Sequence, residues 1–158
     1  MSKSFVHLHA HTEYSMLDGA AKIKTYINRV KELGQPGAAI TDHGNLYGAL
    51  EFHKVAIKND INPIIGYEAY VTTESRFERP YIDKNKRYHL TLLAENNEGY
   101  WNLVKLASKA YTEGYYYKPR LDYELMREHS KGIIALSGCL GGEIAQHLAP
   151  DGSTEEGN

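Results

Sequence analysis

The chain has 158 residues, of which 42% are hydrophobic and 24% charged, and this composition fits one globular domain and excludes disordered and fibrous proteins. Its net charge of −2 argues against an isolated high-affinity nucleic-acid module, because such modules are strongly basic. A single cysteine excludes an internal disulfide, and the sequence contains neither a signal-peptide core nor an apolar run of about 18 residues, so we expect a cytoplasmic protein without a membrane partner.

Segments typical of strands and of helices alternate along the chain. Apolar runs predict strands over residues 4–10, 37–41, 61–72, 88–94 and 132–137. Amphipathic patterns predict helices over residues 22–33, 46–58, 97–111 and 143–148, and a short helix capped by Asp122. The charged stretch 74–86 is predicted to be a loop. We expect a domain over residues 1–149, followed by a polar loop over 150–158.

This alternation predicts an α/β fold, with a parallel sheet and helices packed outside it. About five strands suit either part of a β/α barrel or a small doubly wound sheet. In both architectures the functional residues collect at the carboxyl ends of the strands. We therefore expect the functional residues of this chain at the carboxyl ends of its strands.

Three histidines end the first predicted strand, in the sequence H-L-H-A-H. Side chains two residues apart on a strand point to the same face, so His7, His9 and His11 are expected to project together. Imidazole is a usual ligand of zinc, manganese and iron. The pattern therefore predicts a metal site, although a single histidine here would indicate no more than a packing residue.

Further candidates follow or interrupt the next strands. His43 in T-D-H-G is a candidate ligand and Asp42 a residue that could orient a ligand, although Asp and Gly there are equally typical of a turn at a helix start. Glu68 stands within an apolar strand, where a carboxylate is costly unless it is paired or bound to a cation. The alternative for Glu68 is an edge strand facing solvent.

Three other residues have weaker local signals. Cys139 follows the strand predicted over residues 132–137, but an isolated cysteine is usually a small apolar residue. Asp18 in M-L-D-G could equally belong to a turn. His89 opens its predicted strand instead of closing it, so periodicity does not place it with the other candidates.

Taken together, these segments resemble the PHP (polymerase and histidinol phosphatase) family. The family pattern of H-x-H, T-D-H, a glutamate and a later histidine falls here on His9, His11, His43, Glu68 and His89. The resemblance is closer still to the PHP domains that begin bacterial DNA polymerase III alpha subunits. It extends from about Phe5 to Ala149 and includes F-V-H-L-H-A-H-T-E-Y-S-M-L-D-G-A, I-N-P-I-I-G-Y-E-A-Y-V, A-Y-T-E-G-Y-Y-Y-K-P-R-L-D and G-I-I-A-L-S-G-C-L-G-G-E-I.

The resemblance implies a distorted TIM-like barrel with up to three divalent metals, zinc or manganese, with magnesium as a further candidate. It implies as metal ligands His9, His11, Asp18, His43, Glu68, His89 and Cys139. A final Asp-x-His motif of the family is expected beyond Asn158. The resemblance therefore implies that the barrel is incomplete in this chain and that the chain is an N-terminal fragment.

The activity implied is metal-assisted phosphoester hydrolysis, either 3′–5′ exonuclease proofreading or hydrolysis of pyrophosphate. Asp42 or His89 would assist proton transfer, while Lys118 and Arg120 would contact phosphate or be structural. The whole protein would be a DNA-directed DNA polymerase whose partners are primer-template DNA and other polymerase III holoenzyme subunits. The alternatives are a non-catalytic scaffold stabilised by metal and a free-standing PHP phosphoesterase.

Overall fold

A computed structural model of the chain describes residues 5–16, 18–80 and 87–148. The helices and strands within these ranges are, in chain order, α1 (Ile23–Glu32), β1 (Gly37–Ile40), α2 (Ala49–Lys58), β2 (Asn62–Val71), β3 (Tyr88–Ala94), α3 (Asn97–Thr112), β4 (Tyr115–Tyr116), β5 (Lys118–Leu121), α4 (Tyr123–Glu128), β6 (Ile133–Leu136) and α5 (Glu143–Leu148). None of the helices in these ranges is long and apolar enough to cross a membrane.

The long strand β2 lies at the centre of the sheet. Its first half pairs in parallel with β1, and its last residues pair in parallel with β5 on the same side. On its other side β2 pairs antiparallel with β3, which in turn pairs antiparallel with β6. Strand β4 forms a hairpin with β5. The sheet therefore contains both parallel and antiparallel pairs.

The predicted α/β fold with a parallel sheet is confirmed, but β3 departs from the parallel arrangement and runs antiparallel to β2. A parallel return needs a crossover, usually a helix. The described residues between β2 and β3, 72–80 and 87, form bends and turns instead, and the strand comes back antiparallel. The start of β3 consequently lies beside the end of β2, with His89 paired to Tyr70.

The strand predicted over residues 4–10 is wrong as a regular element, and Ser4 lies outside the described residues. Residues 5–10 lie beside β1 with a bend at Leu8 and His9, and the backbone N–H groups of Ala39 and Thr41 donate to the carbonyls of His7 and Ala10 at 3.2 and 2.9 Å. The Thr41 hydroxyl interrupts a regular ladder, because it accepts from the Ala10 N–H at 2.8 Å and donates back to the Ala10 carbonyl at 3.1 Å.

The two faces of β2 have different environments. Tyr67, Ala69 and Val71 point into an apolar core that includes buried residues of α3. Glu68 and Tyr70 alternate with them and therefore face the other side of the sheet. A second core joins α1, α2 and β1, so the helices anchor both ends of β2. The other strands and helices predicted from the sequence are confirmed, with ends that differ by at most three residues, whereas β4 and β5 were not predicted.

Helices α1 and α2 end in the same hydrogen-bond pattern. After α1, the N–H of Gly34 donates to the Lys31 carbonyl and that of Gln35 donates to the Val30 carbonyl, at 3.0 and 3.1 Å. Asp60 occupies the equivalent position after α2. Both residues have a left-handed backbone, with φ of +65° and +59°. Glycine adopts this conformation without the steric cost that a side chain adds.

The two helix ends give opposite stability predictions. Gly34→Ala is expected to lower the free energy of unfolding by about 1 kcal/mol, because a Cβ disfavours the left-handed backbone. Asp60→Gly is expected to raise it, because the substitution relieves the same strain. Urea denaturation of both variants beside the parent measures these differences, and equal midpoints for all three would contradict the assignment of strain.

Candidate functional site

The backbone of β2 fixes the segment Asp42–Gly44 beside Glu68. The Glu68 N–H donates to the Asp42 carbonyl at 3.0 Å, and the Gly44 N–H donates to the Glu68 carbonyl at 2.8 Å. Gly44 has φ of +65°, and a Cβ there would lie 2.9 Å from Pro119 and 3.1 Å from Tyr70. Glycine therefore permits the close turn that holds His43 opposite Glu68.

Three imidazoles surround the Glu68 carboxylate. The Nε2 atoms of His9 and His11 lie 2.6 and 2.9 Å from Oε2, and Nδ1 of His89 lies 2.7 Å from Oε1. Glu68 is 1% exposed, so its carboxylate is not stabilised by bulk water. Because an unpaired buried charge is costly, the surrounding groups must supply positive charge, as imidazolium ions or as a bound cation.

His43 extends the cluster towards Asp18. Its Nε2 lies 2.6 Å from a carboxylate oxygen of Asp18, and its ring stacks on His11 with ring centroids 4.2 Å apart. The other nitrogen, Nδ1, is buried 3.7 Å from Oε2 of Glu68 and has no hydrogen-bond partner among the described residues. A buried imidazole nitrogen without a hydrogen-bond partner is expected of a metal ligand when the chain alone is considered.

Cys139 closes the cluster from the loop after β6. Its sulfur lies 3.8 Å from Oε1 of Glu68 and 3.7 Å from Nδ1 of His89. The thiol is exposed, and it accepts a hydrogen bond from the Gly141 N–H at 3.3 Å. The cysteine is therefore at the rim of the cluster and not in an apolar core.

The donor atoms fit divalent metals. They form three overlapping groups whose ligand atoms lie within 4.8 Å of one another, and the groups are His9–His11–Glu68, His11–Asp18–His43 and His43–Glu68–His89. Sets of imidazole and carboxylate donors are typical of zinc and also suit manganese. The structure thus brings together all seven residues that the sequence analysis named as ligands, whereas His7 packs edge-on against Phe5.

The charges in the cluster perturb one another. Burial opposes ionisation of Glu68, but hydrogen bonds from His11, His89 and His9 outweigh it and hold the pKa of this carboxyl far below its usual range. The hydrogen bond to Glu68 raises the pKa of His9 above its ordinary value of 6.5, whereas burial lowers that of His43. In the chain alone, the cluster therefore favours the protonated form of His9 and the neutral form of His43.

Asp42 lies in the interior beside the cluster and orients two of its histidines through Ser15. Its carboxylate is 1% exposed and accepts from the Thr12 N–H at 2.6 Å, from the Thr12 hydroxyl at 2.8 Å and from the Ser15 hydroxyl at 2.8 Å. The Ser15 oxygen also lies 2.9 Å from Nδ1 of His11 and accepts from the His43 N–H at 3.0 Å. Asp42 therefore positions two ligand histidines through Ser15, a residue that carried no signal in the sequence.

The two cations expected at the site have different surroundings. Arg120 is fully buried, and its guanidinium donates to backbone carbonyls, which argues against a phosphate contact. Lys118 is exposed, with Nζ 5.5 Å from the ring centroid of Tyr70. The Tyr70 ring lies against His43 and His89, at centroid distances of 5.9 and 5.2 Å. The sequence analysis missed Tyr70, which places Lys118 near the metal ligands.

A cluster of histidines around one buried carboxylate, on a sheet flanked by helices, defines a metal-binding α/β domain. The family model of the PHP domain matches residues 7–157, and the chain belongs to this family.

The chain is also similar to individual proteins. It is 56% identical over 152 residues to the DNA polymerase III subunit alpha of Thermus aquaticus, and 54% identical over 154 residues to that of Deinococcus radiodurans. These matches cover 93% and 92% of this chain, and the chain spans 12% of each of these curated relatives. The resemblance expected from the sequence is thus confirmed.

A solved structure shares the fold. It is the crystal structure of a protein from Bifidobacterium adolescentis assigned as a metal-dependent phosphoesterase, with a TM-score of 0.50 and 18% identity. The match covers 68% of this chain and 33% of that chain. At this identity the likeness concerns the fold alone.

Asp42→Asn tests the support behind the ligands. The amide cannot accept all three hydrogen bonds that the carboxylate accepts, so we expect the free energy of unfolding to fall by about 2 kcal/mol or more. Urea denaturation measures this loss, and NMR shifts of the His11 and His43 imidazoles report whether their positions change. Unchanged imidazole signals would show that Asp42 does not position the ligands.

The opposite pKa shifts of His9 and His43 give a second prediction, for the metal-free chain. In an NMR titration, His9 is expected to gain its proton above pH 6.5 and His43 below it. The contribution of His9 to stability is then complete below pH 6.5 and is lost as the pH rises through its raised pKa. In Glu68→Gln, the His9 midpoint should return towards 6.5. The same midpoint in both proteins would show that Glu68 does not hold the proton.

Proposed function

We propose that this chain is the PHP domain of a bacterial replicative DNA polymerase III alpha subunit, and that its site hydrolyses phosphodiesters as a metal-dependent 3′–5′ exonuclease. The observation that carries the proposal is the buried Glu68 carboxylate with His9, His11 and His89 around it. Membership of the PHP family and the 56% identity to a polymerase subunit support the biological setting.

Divalent metals bound here would supply a nucleophilic water at neutral pH and stabilise charge on the phosphate oxygens. We infer that the residues holding them are His9, His11, Asp18, His43, Glu68, His89 and Cys139. The predominance of imidazole favours zinc or manganese over magnesium, which prefers oxygen ligands. Asp42 holds Ser15 and thereby orients His11 and His43.

The residues around the ligands suggest how a substrate is handled. His89 uses Nδ1 for Glu68, and its side chain is 27% exposed, so its other nitrogen can exchange a proton with a substrate. Both Asp42 oxygens are engaged in the interior, which favours a positioning role over proton transfer. Lys118 is the cation suited to contact a substrate phosphate, because its ammonium group is exposed above Tyr70.

The setting of the whole protein follows from its relatives. We propose that the full protein is a cytoplasmic DNA-directed DNA polymerase, that residues 1–149 belong to its PHP domain, and that its partners are primer-template DNA and other holoenzyme subunits. The residues beyond 148 lie outside those described, so the loop proposed over 150–158 rests on the sequence.

The proposed activity predicts release of nucleotides from a 3′-mismatched, end-labelled primer when zinc or manganese is supplied. The double variant His9→Ala/His11→Ala should lose more than about a hundredfold in rate, because even removing an outer-shell partner of a metal ligand costs 10–100-fold. The matched control is His7→Ala, which removes a histidine of the same segment that packs on Phe5. This control should retain the parental rate.

The outcomes separate the alternatives. Activity that is equal in the parent and the double variant would come from a contaminant and would contradict the proposal. Absence of hydrolysis in the parent, with metal binding that raises its stability, would leave two alternatives, a non-catalytic scaffold and a site that needs the expected Asp-x-His motif. The same assay on a longer protein that includes this motif separates them, because only the scaffold stays inactive. Cleavage of a small phosphate ester without cleavage of DNA would identify a PHP phosphoesterase of another substrate class.

A further inference from the structure

Three exposed tyrosines from different elements form an aromatic patch, which consists of Tyr47, Tyr111 and Tyr115. They are 66%, 39% and 52% exposed. The rings of Tyr111 and Tyr115 stack with centroids 6.1 Å apart, and those of Tyr47 and Tyr111 lie 6.4 Å apart. Exposed aromatic rings grouped in this way are unusual unless they contact a partner.

The aromatic patch adjoins the metal ligands. Tyr115 pairs with Pro119 in the hairpin, and Pro119 and Tyr70 both lie against the turn at Gly44. Tyr70 is also the residue whose ring lies against His43 and His89. The patch is therefore joined to the ligands through Pro119 and Tyr70.

A basic cluster lies near these rings, and it consists of Arg79, Arg87 and Lys118. Arg79 and Arg120 donate to backbone carbonyls and lie 5.9 and 5.3 Å from the ring of Tyr116. Lys118 lies over Tyr70, and Arg87 immediately precedes β3, two residues before His89. Among the described residues, none of these three forms an ion pair with a carboxylate, so their charges remain available to an anion, whereas Arg120 is buried.

The end of the hairpin between β4 and β5 connects the two features. Tyr117 has φ of +60°, a left-handed backbone that is strained for a bulky side chain. This tight turn pairs Tyr115 with Pro119 and Tyr116 with Lys118. Pro119 packs close to Gly44 and thus to the turn that carries His43. The strained turn therefore holds one tyrosine of the aromatic patch and the exposed lysine at fixed positions relative to the ligands.

We propose that the aromatic patch and the basic cluster bind an unpaired nucleic-acid strand and lead its end to the metal ligands. The proposal rests on the proposed phosphodiesterase function and adds the form of the substrate, a single strand. Tyrosine rings stack on any base, and cations follow the phosphates, which is how sequence-independent single-strand binding works. A protein partner would not explain why an exposed lysine and a group of aromatic rings lie beside the metal ligands.

The test is the affinity for a labelled oligothymidylate of about 12 nucleotides, measured by fluorescence anisotropy in EDTA so that no strand is cleaved. Tyr111→Leu/Tyr115→Leu should weaken binding about tenfold or more, whereas Tyr111→Phe/Tyr115→Phe should retain it because the rings remain. Lys118→Ala should weaken binding and reduce its salt dependence. Trp101→Leu, which removes an exposed ring elsewhere on α3 that contacts Tyr100, should bind as the parent does.

Other results would overturn the proposal. One is equal binding by the parent and the leucine pair. Another is equal binding of the oligothymidylate and an abasic strand of the same length, a comparison that remains informative even if the leucine pair does not fold. Metal-dependent cleavage of bis(p-nitrophenyl) phosphate by the parent tests the proposed function separately. Base-dependent binding without such cleavage would overturn the hydrolytic function and leave the strand-binding surface standing.

Discussion

The site depends on a negative charge that is placed inside the protein. Glu68 stands on the central strand of the sheet and is 1% exposed, in a position where a carboxylate without positive neighbours would destabilise the fold. The neighbours come from His9 and His11 before the first helix, from His43 after β1 and from His89 at the start of β3. The packing of the helices on the other face of β2 is what keeps this carboxylate inside.

Much of this arrangement could be predicted from the sequence, because its local patterns are strong. The alternation of apolar residues located most helices and strands, and the spacing of His9 and His11 indicated metal ligands. His89 could not be placed from periodicity, since that argument assumed parallel strands and β3 runs antiparallel. The hairpin of β4 and β5 was missed because strands of two and four residues are too short to show a pattern.

Other features depend on tertiary contacts that no local pattern records. The hydroxyl of Ser15 bonds to Asp42, His11 and His43 at once, yet its neighbours in the sequence are ordinary turn residues. Arg120 follows a lysine and a proline in a segment that suggests a basic surface, but its guanidinium is fully buried beneath a loop. In both cases the partners lie far along the chain, so the role of the side chain is decided by folding.

The residues around Glu68 are distant from it in the sequence, and this distance determines how much a bound cation would stabilise the domain. His9 and Cys139 are 59 and 71 residues from the carboxylate that they approach. A cation bound by these groups would cross-link the chain as a disulfide does, and loops of this size correspond to about 4 kcal/mol of chain entropy. The cation would then hold distant parts of the chain together as well as serve the proposed hydrolysis, so that its removal would lower stability and activity at once.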